Sequence, residues 1–330
     1  LQTGLRSFSR KYDIPYMRHG SENIFHTVGF ISGALNEEQH VGIALGMDNL
    51  IYDAEQADYT LLQLNPYYTL ENDNIRLRVG AHVDWQSANG SGIKAAPDVK
   101  LDYTFADTYV AYLHATGGTR LNDFRQQNEE SSYWGVINQM RTSYTPADLQ
   151  VGFKASPLPG LGFHLFGGYR VTKDEIFHLP GITDTDFPYC YSLLMQEKAK
   201  VGYGGIKAAY GYKDIFDFSV GGTYYGWNVK DEAKVLLYLK PEFVLDASAR
   251  AKVYDEFWIS AAYRYEGRIK AGELEKADAI NNLSLSAGYE FFNSLNVFVR
   301  FNNLLNQDYI TEAGYPVQGF NAMAGVSFRF

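Results

Sequence analysis

Cysteine is nearly absent. Cys190 stands alone in 330 residues, so no internal disulfide holds the fold. Long apolar runs are missing too: no stretch of about eighteen apolar residues occurs, which excludes a helical membrane span. Positive charge is in deficit, with 29 Lys and Arg against 38 Asp and Glu. The formal charge of −9 argues against nucleic acid as the main partner, because phosphate binding favours a basic surface. No repeat of about forty residues marks propeller blades. Nor do the seven histidines fall into a spacing that picks out a nucleophile and its base, so the chain reads as a non-enzyme.

What is present is tyrosine, phenylalanine and glycine, at 26, 21 and 31 residues. Tyr and Phe suit strands and membrane interfaces, and Gly suits turns and close backbone approach. Mean hydropathy is only −0.26. That value fits a membrane barrel, whose lumen-facing residues dilute its lipid-facing ones.

Alternation dominates the chain. In the last fourteen residues, Val317 to Phe330, apolar Phe320, Ala322, Ala324, Val326, Phe328 and Phe330 alternate with Asn321, Met323, Gly325, Ser327 and Arg329. Period 2 is the signature of a strand with two unlike faces. The same pattern recurs in segments of about ten residues, the length a tilted strand needs to cross a bilayer. Ile75, Leu77, Val79, Ala81, Val83 and Trp85 oppose Arg76, Arg78, Gly80, His82 and Asp84. Leu161, Phe163, Leu165, Gly167 and Tyr169 oppose Gly162, His164, Phe166, Gly168 and Arg170. A soluble sandwich shows alternation as well, but the turn lengths also alternate between short and long, and the chain ends on an aromatic.

These features predict an all-β chain: one transmembrane antiparallel β-barrel domain over 1–330, of about 14–16 strands. Short periplasmic turns and long extracellular loops join them, in the bacterial outer membrane with lipid around it. Two long irregular loops are expected at about 116–148 and 172–196, and a strand at Lys234 to Lys240. Residues 1–11 read as a strand or a leader. Pro66 is expected to weaken the ladder of its strand. A secreted barrel needs a signal peptide and none opens the chain at Leu1, so a processed signal or a further domain is expected before that residue.

The carboxy-terminal quarter carries a more specific pattern. Leu295 to Asn302 leads into Asn303-Leu304-Leu305-Asn306 and Tyr309, then Gly314-Tyr315-Pro316, and finally the last strand from Phe320. This resembles the end of TonB-dependent outer-membrane receptors, of a Bacteroidetes-like kind. The resemblance implies a Gram-negative outer membrane, a solute to be bound and taken up, and the TonB energy-coupling system as partner. Members of that family carry about twenty-two strands, an amino-terminal plug and a coupling box. This sequence has room for fewer strands and shows neither plug nor box. The alternative is a non-transporting barrel that serves as scaffold or subunit of an outer-membrane complex.

Alternation assigns to the lumen Arg76, Arg78, His82, Asp84, Asp98, Lys100, Asp102, Lys154, His164, Arg170, Asp246, Arg250, Lys252, Arg264, Glu290, Arg300 and Arg329. Such a lining either passes a polar solute or merely pairs its own charges. Tyr133, Trp134, Tyr144, Phe187, Tyr189 and Tyr191 fall in the two long loops. There they either stack on a ligand or pack the loops together. Asp184 and Asp186, near Asp174, Glu175 and His178, lack the glycine and terminal glutamate of a calcium loop, so no metal is expected. No cofactor is expected either.

Overall fold

The computed structural model describes residues 1–330 except 12–19, 54–55, 91, 137–138, 183–189, 292–293, 313 and 330. The chain begins with β1 (Gln2–Arg10), β2 (Gly20–Ala34), β3 (Gln39–Asp53), β4 (Tyr59–Glu71), β5 (Ile75–Gln86), β6 (Gly92–Phe105) and β7 (Tyr109–Arg120). A helix, α1 (Phe124–Glu130), and β8 (Trp134–Val136) precede β9 (Ser143–Leu158), β10 (Leu161–Ile182), β11 (Cys190–Tyr212) and β12 (Phe216–Asn228). After a 3-10 helix (Asp231–Leu237) come β13 (Pro241–Lys252), β14 (Phe257–Arg268), β15 (Ile280–Phe291) and β16 (Leu295–Asn302). Two short strands, β17 (Ile310–Glu312) and β18 (Tyr315–Pro316), separate β16 from β19 (Asn321–Phe328).

Seventeen strands form one sheet, in which β8 is an accessory that pairs in parallel with β11. The other sixteen are a meander, each antiparallel to the next, with β7 paired to β9 and β16 to β19. They build a β-barrel wall. β1 and β19 are its lateral edges, and no hydrogen-bonded pairing joins them to each other among the described residues.

Among the fully described connectors, six at one end have two to four residues: 35–38, 72–74, 106–108, 159–160, 213–215 and 253–256. At 106–108 the tight three-residue return puts Ala106 and Asp107 at φ 48° and 59°, both in the left-handed region. The opposite end carries the long connectors 121–142, 229–240, 269–279 and 303–320. Side chains on the outer face are apolar and exposed, Leu45, Leu113, Val151, Leu165 and Ile206 among them. Near the 106–108 turn this belt ends in a run of stacked rings, with Phe105–Tyr109 at 5.5 Å and Tyr109–Phe153 at 6.0 Å. An aromatic girdle of this kind marks the level where hydrocarbon gives way to headgroups.

The inner face packs differently. Gly42, Gly152, Gly168, Gly288 and Gly325 lie directly across the ladder from Tyr67, Tyr112, Tyr203, Trp258 and Phe298. A Cβ at any of these glycines would sit 2.3–2.5 Å from the facing ring. The rings lie flat along the wall, covering backbone the glycines leave bare.

Three expectations need correction. The stretch 116–148 is not irregular throughout: β7 runs to Arg120, α1 and β8 fold inside it, and β9 starts at Ser143. Nor are the described residues of 172–196 irregular: β10 runs to Ile182 and β11 starts at Cys190, at 22 and 23 residues well past the ~10 residues a bilayer needs. Alternation fades there because both faces of the extensions meet protein. The region Lys234 to Lys240 is not a strand, because Leu236 and Leu237 turn inward from the 3-10 helix to pack with Phe177, Ala199 and Ala271. Pro241 instead opens β13, where its missing N–H is tolerated. The residues 1–11 hold a strand. Beside Pro66, the β4–β5 pairing lapses between Leu64 and Tyr67, as a residue without an N–H requires.

Candidate functional site

The site is built in two storeys, a charged inner wall and a structured roof over the long-connector end. On the wall, Arg78 of β5 is the hub. Its Nε donates to Asp98 Oδ2 at 2.6 Å and its Nη2 to Asn65 Oδ1 at 2.6 Å, while the guanidinium lies 3.9 Å over the Tyr67 ring. Asn65 Nδ2 closes the triangle by donating to Asp98 at 3.1 Å. Further along, His114 Nε2 lies 2.9 Å from Asp102 Oδ1, and Tyr112 Oη lies 2.8 Å from His164 Nε2. Asp84 Oδ2 accepts from the Thr119 N–H at 2.7 Å. A cavity of about 290 Å³ opens between these groups, lined by His82, Lys100, His114, Asp148 and Tyr203 among others. Lys154 Nζ sits 5.4 Å from the Tyr112 ring, and Arg170 keeps a buried Nε with no hydrogen-bond partner among the described residues.

A second charged patch lies on β13 and β14. Arg264 bridges Asp246 at 3.0 Å and Glu266 at 2.8 Å, and Glu266 also pairs with Arg268. Arg250 lies 4.6 Å over the Trp258 ring. The remaining candidates are peripheral. Arg76 pairs with Glu71 at the short-turn rim, Glu290 and Arg300 are exposed, and Arg329 lies one residue past β19 with its N–H on Ser294 O.

The roof is the 121–142 connector. Asp123 caps α1 by accepting from Gln126 N at 2.7 Å. The Phe124 N–H donates to Glu22 of β2 at 3.0 Å, and the Phe124 ring packs on Tyr52 and Trp134, each 5.1 Å away. Arg10 of β1 lies 4.0 Å over Trp134 and donates to its carbonyl at 2.6 Å. Pairing with β11 fixes β8 on the other side. Ser131 Oγ then donates to Glu312 Oε1 at 2.6 Å, and Tyr133 stacks on Tyr315 at 4.7 Å. The segment therefore crosses from β7 and β9 to β1, β2, β11 and the β17–β18 pair.

This geometry corrects the loop aromatics. Trp134 is 1% exposed and belongs to the roof's core. Tyr144 stands in β9 with its hydroxyl on the Ala95 carbonyl, and Tyr191 is buried in β11 across from Gly181. Of the four described, Tyr133 is exposed and Tyr144 half-buried, whereas Trp134 and Tyr191 are buried. Phe187, Tyr189, Asp184 and Asp186 lie outside the described residues, as does Phe330. No group of His, Cys, Asp and Glu among the described residues is arranged to hold a metal ion.

Five chain segments that sequence spacing does not connect meet in a cavity of about 260 Å³ under the roof. Glu130 and Ser131 come from the end of α1, His178 and Ser192 from the extensions of β10 and β11, Lys240 from before β13, and Glu312 from β17. His178 Nδ1 lies 2.8 Å from Ser192 Oγ, and its Nε2 lies 2.8 Å from Glu130 Oε2. The hydrogen bond from His178 holds the Glu130 carboxyl below its ordinary range. Burial pulls the Lys240 ammonium below the ordinary lysine value.

Among solved structures, the copper transporter OprC superposes with a TM-score of 0.66 at 13% identity, over 99% of this chain and 61% of that one. The FrpB iron transporter of Neisseria meningitidis gives 0.70 at 12% identity, over 94% and 56% of the two chains. The ferric enterobactin receptor PfeA of Pseudomonas aeruginosa gives 0.71 at 12% identity, over 94% and 55%. The likeness to these transporter and receptor structures is one of fold. This chain spans 55–61% of the length of those structures. No family model and no curated protein matches it in sequence.

Proposed function

We propose that the chain forms the wall and roof of an outer-membrane receptor that binds a polar solute and takes it up, in a Gram-negative bacterium. The observation that carries this reading is the division of one sheet into an apolar outer belt and a charged inner face with a wall cavity between His82, Lys100 and His114. A face so charged is costly unless water or a polar cargo meets it. The fold likeness to metal and ferric-siderophore transporters supports uptake, and the TonB energy-coupling system is the proposed partner. Accumulation of ferric and cupric chelates by cells that make the protein tests it. Uptake should vanish on deletion and on collapse of the proton-motive force.

A second reading draws on the roof. A segment tied to β1, β2 and β11 occludes the mouth, which suits a non-transporting barrel whose roof docks another outer-membrane protein. Surface binding without energy-dependent accumulation would favour this second role.

A further inference from the structure

The cavity beneath the roof holds a cation that no carboxylate among the described residues contacts directly, although Glu175 and Glu130 act on it from a distance. Lys240 is fixed at its backbone by bonds from its N–H to Leu237 O and from Ile269 N–H to its carbonyl. Its ammonium sits between two rings, 5.1 Å from Phe177 and 5.4 Å from Trp227. No carboxylate lies within ion-pair distance of it among the described residues, and it opens on the cavity. Aromatic faces attract a cation weakly compared with a carboxylate, so the ammonium keeps strong donor capacity within the cavity it lines.

The opposite lining is acidic. Glu312 spends one oxygen on Ser131 and Glu130 one on His178, which leaves each carboxylate an oxygen free to accept. A simple anion would answer Lys240 but meet two carboxylates, and a simple cation would meet the ammonium. Leu236 and Leu239 supply an apolar wall to the same cavity. A volume of about 260 Å³ matches a molecule of amino-acid size.

We infer that this cavity binds a small zwitterion with an apolar side chain, its carboxylate on Lys240, its ammonium on Glu312 and Glu130, and its side chain against Leu236 and Leu239. The inference rests on the receptor reading only in that the roof faces the exterior; binding is independent of transport. The lowered Lys240 value agrees with a cation waiting for an anion, since a bound carboxylate would raise it.

The test is a titration of the detergent-purified chain with L-leucine, read by tryptophan fluorescence, because Trp227 flanks Lys240. Saturable binding is expected, weakened at least tenfold for leucinamide, which lacks the carboxylate, and for 4-methylpentanoate, which lacks the ammonium. Lys240→Met keeps the aliphatic stem, and Glu312→Gln lies on a different element, so loss in either variant with wild-type heat-modifiable migration supports the site. An absent leucine response, equal binding of either analogue, or unchanged affinity in both variants overturns it. Because the assay involves no uptake, its failure is distinct from failure of the transport reading.

Discussion

Two arginines two positions apart on β5 show how one residue type takes different weight from its surroundings. Arg76 pairs with Glu71 at the rim where both side chains are mostly exposed, and Arg78 serves a carboxylate that is 5% exposed. Exposed pairs contribute about 0–1 kcal/mol, whereas leaving a buried acceptor without its partner costs about 1–3 kcal/mol. Arg76→Ala should therefore leave the urea midpoint nearly unchanged, and Arg78→Ala, whose side chain is itself partly exposed, should lower stability by about 1–3 kcal/mol. Ala106 makes a separate prediction. It holds a left-handed φ of 48° that an L-residue with a Cβ resists by about 1–2 kcal/mol. Ala106→Gly should raise the unfolding midpoint, by about 1 kcal/mol or less after glycine's own entropy cost. Which face each wall residue takes is legible from sequence, because a period of 2 leaves no third option. Which residue it meets is not: the Arg78, Asn65 and Asp98 triangle depends on the register of three strands, and nothing in the spacing of 65, 78 and 98 announces it.

At the scale of elements, the roof departs most from what the sequence announces. Its helix is seven residues long and polar on most of its surface, and it persists through contacts to β2 and β3. A segment this short has no helical stability of its own in water. The long extensions of β10 and β11 are equally hidden, since Ile176-Phe177-His178-Leu179 places large side chains on both faces and reads as a break in alternation. The Glu130–His178 contact makes the roof sensitive to acid. A carboxyl held below its usual value in the folded chain contributes stability that is complete above its unfolded value, about 4.3 for Glu. That contribution is lost as pH falls through the lower folded value. Hydrogen exchange of Phe124–Glu130 should accelerate selectively when the pH drops from 6 to 3, beyond its intrinsic pH dependence. Glu130→Gln should remove that component.

For the whole molecule, the division between lipid and water is the organising fact, and it is the part most fully readable in the sequence. Leu165 is exposed on the outer belt, and the Ser219 hydroxyl on the inner face pairs with that of Ser248. An arginine at a lipid-facing midplane position costs about 2–4 kcal/mol. Leu165→Arg should lose that much in bilayer-refolded protein, and Ser219→Arg should stay within about 1 kcal/mol. A freely soluble Leu165→Arg protein with unchanged stability would contradict the placement of the belt.

The two lateral edges impose a rule of parity. β1 runs toward the roof and β19 away from it, because each is antiparallel to a neighbour whose direction the short turns fix. In hydrocarbon an edge leaves a row of peptide groups without partners, at several kcal/mol for each group. Whatever seals the seam must keep up-and-down order from β19 round to β1. Only an even number of intervening strands does so, with direct pairing of the two edges counting as zero. An odd number forces a parallel pair at the seam, whose hydrogen bonds are slanted and slightly less stable per residue.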